Sequence, residues 1–204
     1  MKTGEVFALT WDDVDFENRT IRVNKTVYWK IKNNKGRWFL GTTKTDGSSR
    51  IIYMSDTLYK ILSKFKEDQN INRKLYKSKY KYYYLEQVKN KYGKLIEYKI
   101  IEGKNKNDKV EMVFVKKDGT YVGTDITKYP YRIIHNELKI SCRFYDLRGS
   151  FATISLRNSC KIKDIAEVLG HKRIETTEKY YISSTENDKM NVIINFDKNR
   201  VKSI

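Results

Sequence analysis

The sequence is poor in the residues that build disulfide frameworks and metal sites. Its 204 residues include two cysteines, Cys142 and Cys160, and two histidines, with no CxxC or HxxxH spacing. This scarcity argues against a structural or catalytic zinc site, and two isolated thiols fit a cytosolic protein better than a disulfide framework. We therefore expect no metal and no other cofactor.

Long apolar runs are also missing. No run of about 18 consecutive apolar residues, the length that crosses a bilayer, occurs in the sequence. The opening residues Met1 to Gly4 do not begin a signal peptide. We therefore expect neither a membrane span nor a secretion signal.

Acidic residues are outnumbered by basic ones. There are 42 Lys and Arg against 25 Asp and Glu, which gives a formal net charge of +17. Such an excess repels itself in a compact fold unless a polyanion relieves it. Nucleic acid is the favoured partner, and a membrane surface is the weaker alternative.

Periodicity and turn residues in the first third predict a small antiparallel sheet of about three strands beside helices. Residues 4–10 have the pattern of the end of a helix. Ser55 is expected to cap the next helix, whose apolar face starts at Leu58. The strand-like runs between them are residues 19–23, 26–30, 38–40 and 50–54, with turn signals at 33–36 and 46–49.

Residues 66–112 form an insertion-like segment that is rich in lysine and tyrosine. Within it, the sequence predicts a basic helix over residues 72–92 and a hairpin over residues 93–115, with the turn of the hairpin at 104–108. The lysines of the helix could contact DNA phosphates while its tyrosines contact sugars. Alternatively, the helix is a solvated element whose tyrosines face the core.

The last third of the sequence is predicted to be helical. Pro130 marks a helix start within 124–139, and Asp146 is expected to cap a helix. Gly170 is expected to end another helix that has an apolar face. Thr176 is the expected N-cap of a helix that carries Tyr180 and Tyr181.

Arg148, His171 and the pair Tyr180-Tyr181 form the set with the most chemical meaning. Cleaving a phosphodiester without metal needs a nucleophile, positive donors on the non-bridging oxygens and an acid for the leaving oxygen. Arginine can hold two phosphate oxygens, and a phosphotyrosine link conserves bond energy for religation. Each residue alone could be a surface charge, a cap or packing. The ordered set favours phosphoryl transfer on DNA.

These motifs resemble boxes II and III of the tyrosine recombinases, the phage and transposon integrases. Two further pieces are similar to that family: residues 4–15 resemble box I, and residues 43–51 resemble its hairpin lysine segment. The resemblance covers residues 2–185, although residues 66–112 match only loosely. It implies an α+β fold: a mostly helical catalytic domain with a small antiparallel sheet and an extra basic helix and hairpin insertion.

The resemblance also implies roles for individual residues. Arg148 matches the second arginine and His171 the box III histidine. Lys44 matches the general acid for the leaving 5′ oxygen, although it could be an ordinary surface lysine. The spacing from Thr176 favours Tyr180 as the nucleophile, whereas one more residue, as in some members, would select Tyr181.

Two positions depart from the family pattern. Lys2 stands where box I has an arginine, and it keeps the charge but loses the bidentate geometry. Tyr145 stands in place of the histidine before Arg148, where it could donate a hydrogen bond to phosphate or serve in packing. Losing one fixed donor costs on the order of 10²–10³ in rate. We expect the chain to bind DNA normally and to cleave it poorly.

By resemblance, the chain is expected to be a site-specific recombinase of a phage or mobile element in a bacterial cytoplasm. It would exchange strands through 3′-phosphotyrosyl links on double-stranded DNA, as a homotetramer during synapsis and a monomer when free. Residues 1–204 would be one catalytic domain without the helix before box I or the upstream core-binding and arm-binding domains. The tail, residues 186–204, would dock on a neighbouring subunit or pack in cis.

Two alternatives remain open at this point. One is a catalytically silent DNA-binding or assembly module, which Lys2 and Tyr145 encourage. The other is an enzyme similar to type IB topoisomerases, which use the same chemistry to relax supercoils.

Overall fold

The structure, a computed structural model, describes residues 1–32, 35–42, 49–103, 109–171, 175 and 177. Its helices are α1 (Thr3–Phe7), α2 (Asp56–Tyr76), α3 (Lys128–Asn136), α4 (Asp146–Arg157) and α5 (Ile162–Leu169). Its strands are β1 (Val14–Asp15), β2 (Thr20–Val23), β3 (Lys25–Lys32), β4 (Lys35–Thr42), β5 (Arg50–Tyr53), β6 (Tyr83–Lys89), β7 (Leu95–Glu102) and β8 (Lys109–Val110). No helix in this part of the chain combines the length and apolar content needed to cross a bilayer.

The strands form two antiparallel sheets. A small three-stranded sheet is present as predicted, with the order β1-β2-β5, but the β3–β4 hairpin does not belong to it. That hairpin lies in a second sheet of order β3-β4-β7-β6-β8. Ile21 of β2 pairs with Ile52 of β5. These two strands are therefore neighbours in the small sheet, although the β3–β4 hairpin lies between them in sequence. Turn signals alone predict a simple meander because they report which runs are adjacent in sequence, not which runs pair.

The lysine- and tyrosine-rich segment contributes strands to the larger sheet. The predicted helix over 72–92 is wrong beyond Tyr76, where α2 ends, because residues 83–89 form β6. Tyr83 and Leu85 both pack on the core, which is the period of two expected of a strand. The hairpin predicted within 93–115 is also wrong, because β7 pairs with the preceding β6 and not with β8. The predicted turn at 104–108 lies outside the described residues.

Two apolar cores meet at the C-terminal end of α1. Phe7 and Val27 belong to the core under the five-stranded sheet, whereas Leu9 and Ile21 belong to the core of the small sheet and α2. The hydroxyl of Tyr121 donates to the carbonyl of Phe7 at 2.8 Å. The segment around α1 is therefore held by both cores.

The helix ends agree with several sequence predictions. Ser55 caps α2, since its Oγ accepts from the Leu58 amide at 3.2 Å, and Pro130 lies in the first turn of α3. The prediction that Asp146 caps α4 is wrong. Asp146 is the first helical residue, and its carboxylate accepts from the backbone amide of Arg143 at 2.7 Å. It therefore fixes the turn that precedes α4.

Candidate active site

The site is organised around the C-terminal end of α5. Gly170 has a left-handed conformation with φ 70°. The Gly170 amide donates to the carbonyl of Glu167, and the His171 amide donates to the carbonyl of Ala166, both at 2.9 Å. These two bonds form a Schellman motif, which glycine stabilises because it lacks a Cβ. The stop predicted at Gly170 is confirmed, and His171 leaves the helix at a fixed position.

Two arginines bind the last carbonyls of α5. Arg148 of α4 donates from Nη2 to the carbonyl of Leu169. Arg50 of β5 donates from Nε to the carbonyl of Val168 at 2.8 Å. The last carbonyls of a helix have no partner within it, and positive charge is favoured at this end. Both contacts place a guanidinium beside the turn that carries His171.

Glu5 of α1 binds the other side of Arg50. Its Oε2 lies 2.9 Å from Arg50 Nη2, and its Oε1 lies 3.4 Å from Arg50 Nη1. The Lys2 amide donates to the same Oε2 at 2.7 Å. Burial raises the pKa of Glu5, but these hydrogen bonds and the charge of Arg50 outweigh it, so the net pKa is lowered. Glu5 is therefore an ionised carboxylate inside the fold.

The imidazole of His171 is oriented from the interior. Its Nδ1 lies 2.8 Å from Oγ1 of Thr177, so Nε2 is the ring nitrogen that can meet a ligand. Burial lowers the pKa of His171, and the charges of Arg148, Lys2 and Arg50 lower it further. The ring is therefore biased towards its neutral form until an anion enters.

A basic groove of about 840 Å³ opens beside this histidine. Its lining is rich in cations and hydroxyl groups and comprises Lys2, Arg143, Tyr145, Asp146, Gly149, Ser150, Thr153, Ile154, Arg157 and His171. Among these described residues Asp146 is the one acid, and Arg143 Nη2 binds it at 3.0 Å. The groove is suited to an anionic ligand. Within the part of the chain that the structure describes, no group of three or more His, Cys, Asp and Glu side chains could hold a metal ion.

The structure brings several residues of the predicted set together. Lys2, Tyr145 and His171 line the groove, and half of the Tyr145 surface is exposed. Arg148 is only 4% exposed and lies against the turn that carries His171. Lys44, Tyr180 and Tyr181 lie outside the described residues, as do Thr176 and the tail 186–204.

Glu5, Arg50 and Thr177 were not among the predicted site residues. Glu5 and Arg50 fall within the segments that resemble box I and the hairpin lysine segment, and Thr177 falls within the stretch from Thr176 to Tyr180 whose spacing favours Tyr180. These positions within the motifs are the only features of the sequence that point to the three residues. The motifs do not predict which residues they contact, because Arg50 binds residues that are 45 and 118 positions away.

Comparison with known proteins gives one family. The model of the phage integrase family matches residues 1–187. A tyrosine recombinase XerC-like protein of Caldanaerobacter subterraneus subsp. tengcongensis is 25% identical over 199 residues, which is 95% of this chain and 45% of that protein. The integrase of Staphylococcus phage L54a is 42% identical over 64 residues, 31% of this chain and 18% of that protein. The chain thus spans less than half the length of these relatives.

Solved structures confirm the fold. The Tn1549 transposon integrase in complex with circular intermediate DNA superposes with a TM-score of 0.64 at 17% identity, covering 96% of this chain and 56% of that one. The XerA recombinase crystal structure has a TM-score of 0.57 at 18% identity, covering 96% and 53%. The predicted α+β class is therefore correct.

Proposed function

Because this chain belongs to the phage integrase family, we propose that it is the catalytic part of a site-specific DNA recombinase that acts through a 3′-phosphotyrosyl intermediate. The observation that supports this best is the position of His171. It lies in a basic groove with Lys2 and Tyr145, on a turn that Arg148 holds from within. The Tn1549 relative is described in complex with DNA, which supports duplex DNA as the ligand of this groove.

The groove would bind the scissile phosphate. Nε2 of His171 and the hydroxyl of Tyr145 would donate to non-bridging oxygens, while Lys2 and Arg148 supply positive charge to the developing anion. The phenol oxygen of Tyr180, or of Tyr181, would attack phosphorus as the phenol proton passes to solvent water. The bond to the 5′ oxygen would break as Lys44 donates a proton to it, and the covalent link to the 3′ end would store the bond energy for religation.

Covalent trapping tests this proposal. We would incubate the chain with a pool of nicked duplexes of randomised sequence, denature the mixture and sequence the DNA that stays bound to protein. We expect a covalent adduct that either Tyr180→Phe or Tyr181→Phe abolishes. Tyr92→Phe, which alters an exposed tyrosine in the turn after β6, is the matched control and should not change the yield.

Lys2 favours a second candidate, a DNA-binding or assembly module that cleaves poorly. A lysine offers one nitrogen where an arginine fork holds two oxygens. We expect Lys2→Arg to raise the rate of adduct formation on the order of 10²–10³. Duplex binding without any adduct, in both the natural chain and Lys2→Arg, would favour the binding module. Sequence-independent relaxation of plasmid would instead favour a topoisomerase-like enzyme.

We propose the same assembly that the family resemblance implies. Residues 1–204 act as one catalytic domain in a bacterial cytoplasm, with residues 66–112 as an insertion and 186–204 as a docking tail. The chain is a monomer when free and a tetramer on paired recombination sites. Light scattering after size-exclusion chromatography, with and without a duplex recovered from the covalent adduct, measures both states. A free chain that is already tetrameric contradicts this part.

A further inference from the structure

Arg50 joins two parts of the candidate site that are far apart in sequence. Its Nη2 and Nη1 face Glu5 of α1, and its Nε binds the carbonyl of Val168 near the end of α5. Lys2 immediately precedes α1, and His171 follows α5 after Gly170. A single guanidinium therefore connects the helix next to Lys2 with the turn that carries His171.

The Arg50–Glu5 pair is more deeply buried than the other arginine–carboxylate pairs among the described residues. The side chains of Arg50 and Glu5 are 9% and 3% exposed, whereas those of Arg19 and Asp56 are 53% and 78% exposed. Exposed pairs contribute little because water and salt screen them. A buried pair of this kind is costly to rearrange, since any displaced charge is left without solvent.

Arg50 also packs directly on the turn. A Cβ built on Gly170 would lie 2.8 Å from Arg50 Nη1, so the guanidinium occupies the space that the glycine leaves. Its Nη1 and Nη2 face Glu5 while its Nε faces Val168, an arrangement that the single nitrogen of lysine cannot reproduce. The contact is therefore one of shape as well as charge.

We propose that Arg50 is a positioning residue, whose guanidinium sets where Lys2 and His171 stand relative to each other without itself touching DNA. This inference rests on the proposed function. It predicts that losing the fork displaces the catalytic groups while leaving most of the DNA-binding surface in place. A displacement of about 1 Å in an active site can cost about 10²-fold in rate.

The first test does not depend on cleavage. An NMR titration can follow His171, because the chain has one other histidine, His135, which lies exposed in α3. The charges that lower the pKa of His171 are those of Arg148, Lys2 and Arg50. Arg50→Gln should therefore raise the pKa of His171. Arg50→Lys should keep it closer to that of the natural chain but shift the His171 resonances, because the contact to Val168 is lost.

The second test measures adduct formation on the nicked duplex pool. Arg50→Lys and Arg50→Gln should each lower the rate by about 10²-fold, with the affinity for the uncut duplexes nearly unchanged. Glu5→Gln is a third variant, which retains the shape of the partner and removes its charge, and it should lower the rate in the same direction. Arg19→Gln breaks the exposed pair with Asp56 and is the control, expected to match the natural chain.

Each result bears on the inference. If the rate loss disappears once it is corrected for the folded fraction, Arg50 is merely structural and the inference is overturned. His171 resonances that are unchanged in Arg50→Lys also overturn it. Should the natural chain form no adduct at all, the proposed function fails, and the His171 resonances of Arg50→Lys alone decide whether Arg50 positions the histidine.

Discussion

Nδ1 of His171 lies 2.8 Å from Oγ1 of Thr177, and Thr177 is completely buried. When the threonine hydroxyl donates to Nδ1, a neutral imidazole carries its proton on Nε2. That nitrogen can then donate to a phosphate oxygen. A buried hydroxyl six positions along the chain thus determines how the histidine meets its ligand.

Replacing this hydroxyl by a methyl group should impair the histidine more than the fold. We expect Thr177→Val to lower the free energy of unfolding by about 1 kcal/mol, the usual net value of one hydrogen bond. The rate of adduct formation should fall further than this loss explains, because the ring can rotate. Thr177→Ser, which retains the hydroxyl, should recover most of the rate. Equal rates for the Val and Ser variants would contradict this role.

The lowered pKa of His171 makes folding stability depend on pH. The native state favours the neutral ring, so the unfolded chain takes up a proton first as pH falls through the ordinary value of 6.5. This contribution to stability is complete above that value and is lost as pH falls towards the native pKa. Denaturant unfolding at several pH values should show the loss in the natural chain and a smaller one in His171→Gln.

DNA binding should raise the pKa of His171, the opposite of the effect of folding. A phosphate next to His171 favours the charged ring and raises its pKa, so binding takes up a proton in this range. The affinity for a duplex should increase as pH falls from about 7.5 to about 6. Calorimetry in buffers of different ionisation enthalpy measures the proton uptake directly. An uptake that persists unchanged in His171→Gln would assign it to another group.

Gly170 offers a sharp test of the turn. A left-handed residue with a side chain costs roughly 1–2 kcal/mol, and here its Cβ would also meet Arg50. Gly93, in the turn between β6 and β7, has φ 78°, and a Cβ added there would meet no atom within 4 Å. We expect Gly170→Ala to destabilise the fold more than Gly93→Ala, in thermal unfolding, and to reduce adduct formation. Equal effects would show that Arg50 moves away freely.

Salt dependence should identify the groove as the path of the DNA backbone. Arg157 is exposed and lines the groove. Arg157→Gln should reduce the slope of log affinity against log salt concentration by about 0.9, the value for one phosphate contact. Lys64→Gln is the control, because Lys64 already pairs with Asp68 at 2.9 Å on α2. The same slope change in both variants would indicate a general charge effect.

Local signals in the sequence were sufficient for two helix ends, although not for the start of α4. The cap at Ser55 and the stop at Gly170 depend on backbone groups within a few residues, so the residue type alone predicts them. The strand β6 was missed because lysine and tyrosine are compatible with either element, and the apolar period of two covers only Tyr83 and Leu85.

The candidate site is recognisable in the sequence as a motif but not as a set of contacts. Lys2, Tyr145, Arg148 and His171 carry recognisable spacing, and they do lie around one turn. The Arg50–Glu5 pair depends on the meeting of β5 with α1, and no local pattern encodes that meeting. The place of β5 is set by its pairing with β2, which skips the β3–β4 hairpin.

The long reach of the contacts around α1 also sets the order in which the chain can assemble during synthesis. The Tyr121 bond to Phe7 spans 114 positions, and the Arg50 bond to Val168 spans 118. A helix of five residues is too short to persist alone. While the ribosome is still translating, these two contacts must therefore wait until residues 121 and 168 have emerged. The groove beside His171 is completed only after α5 has been made.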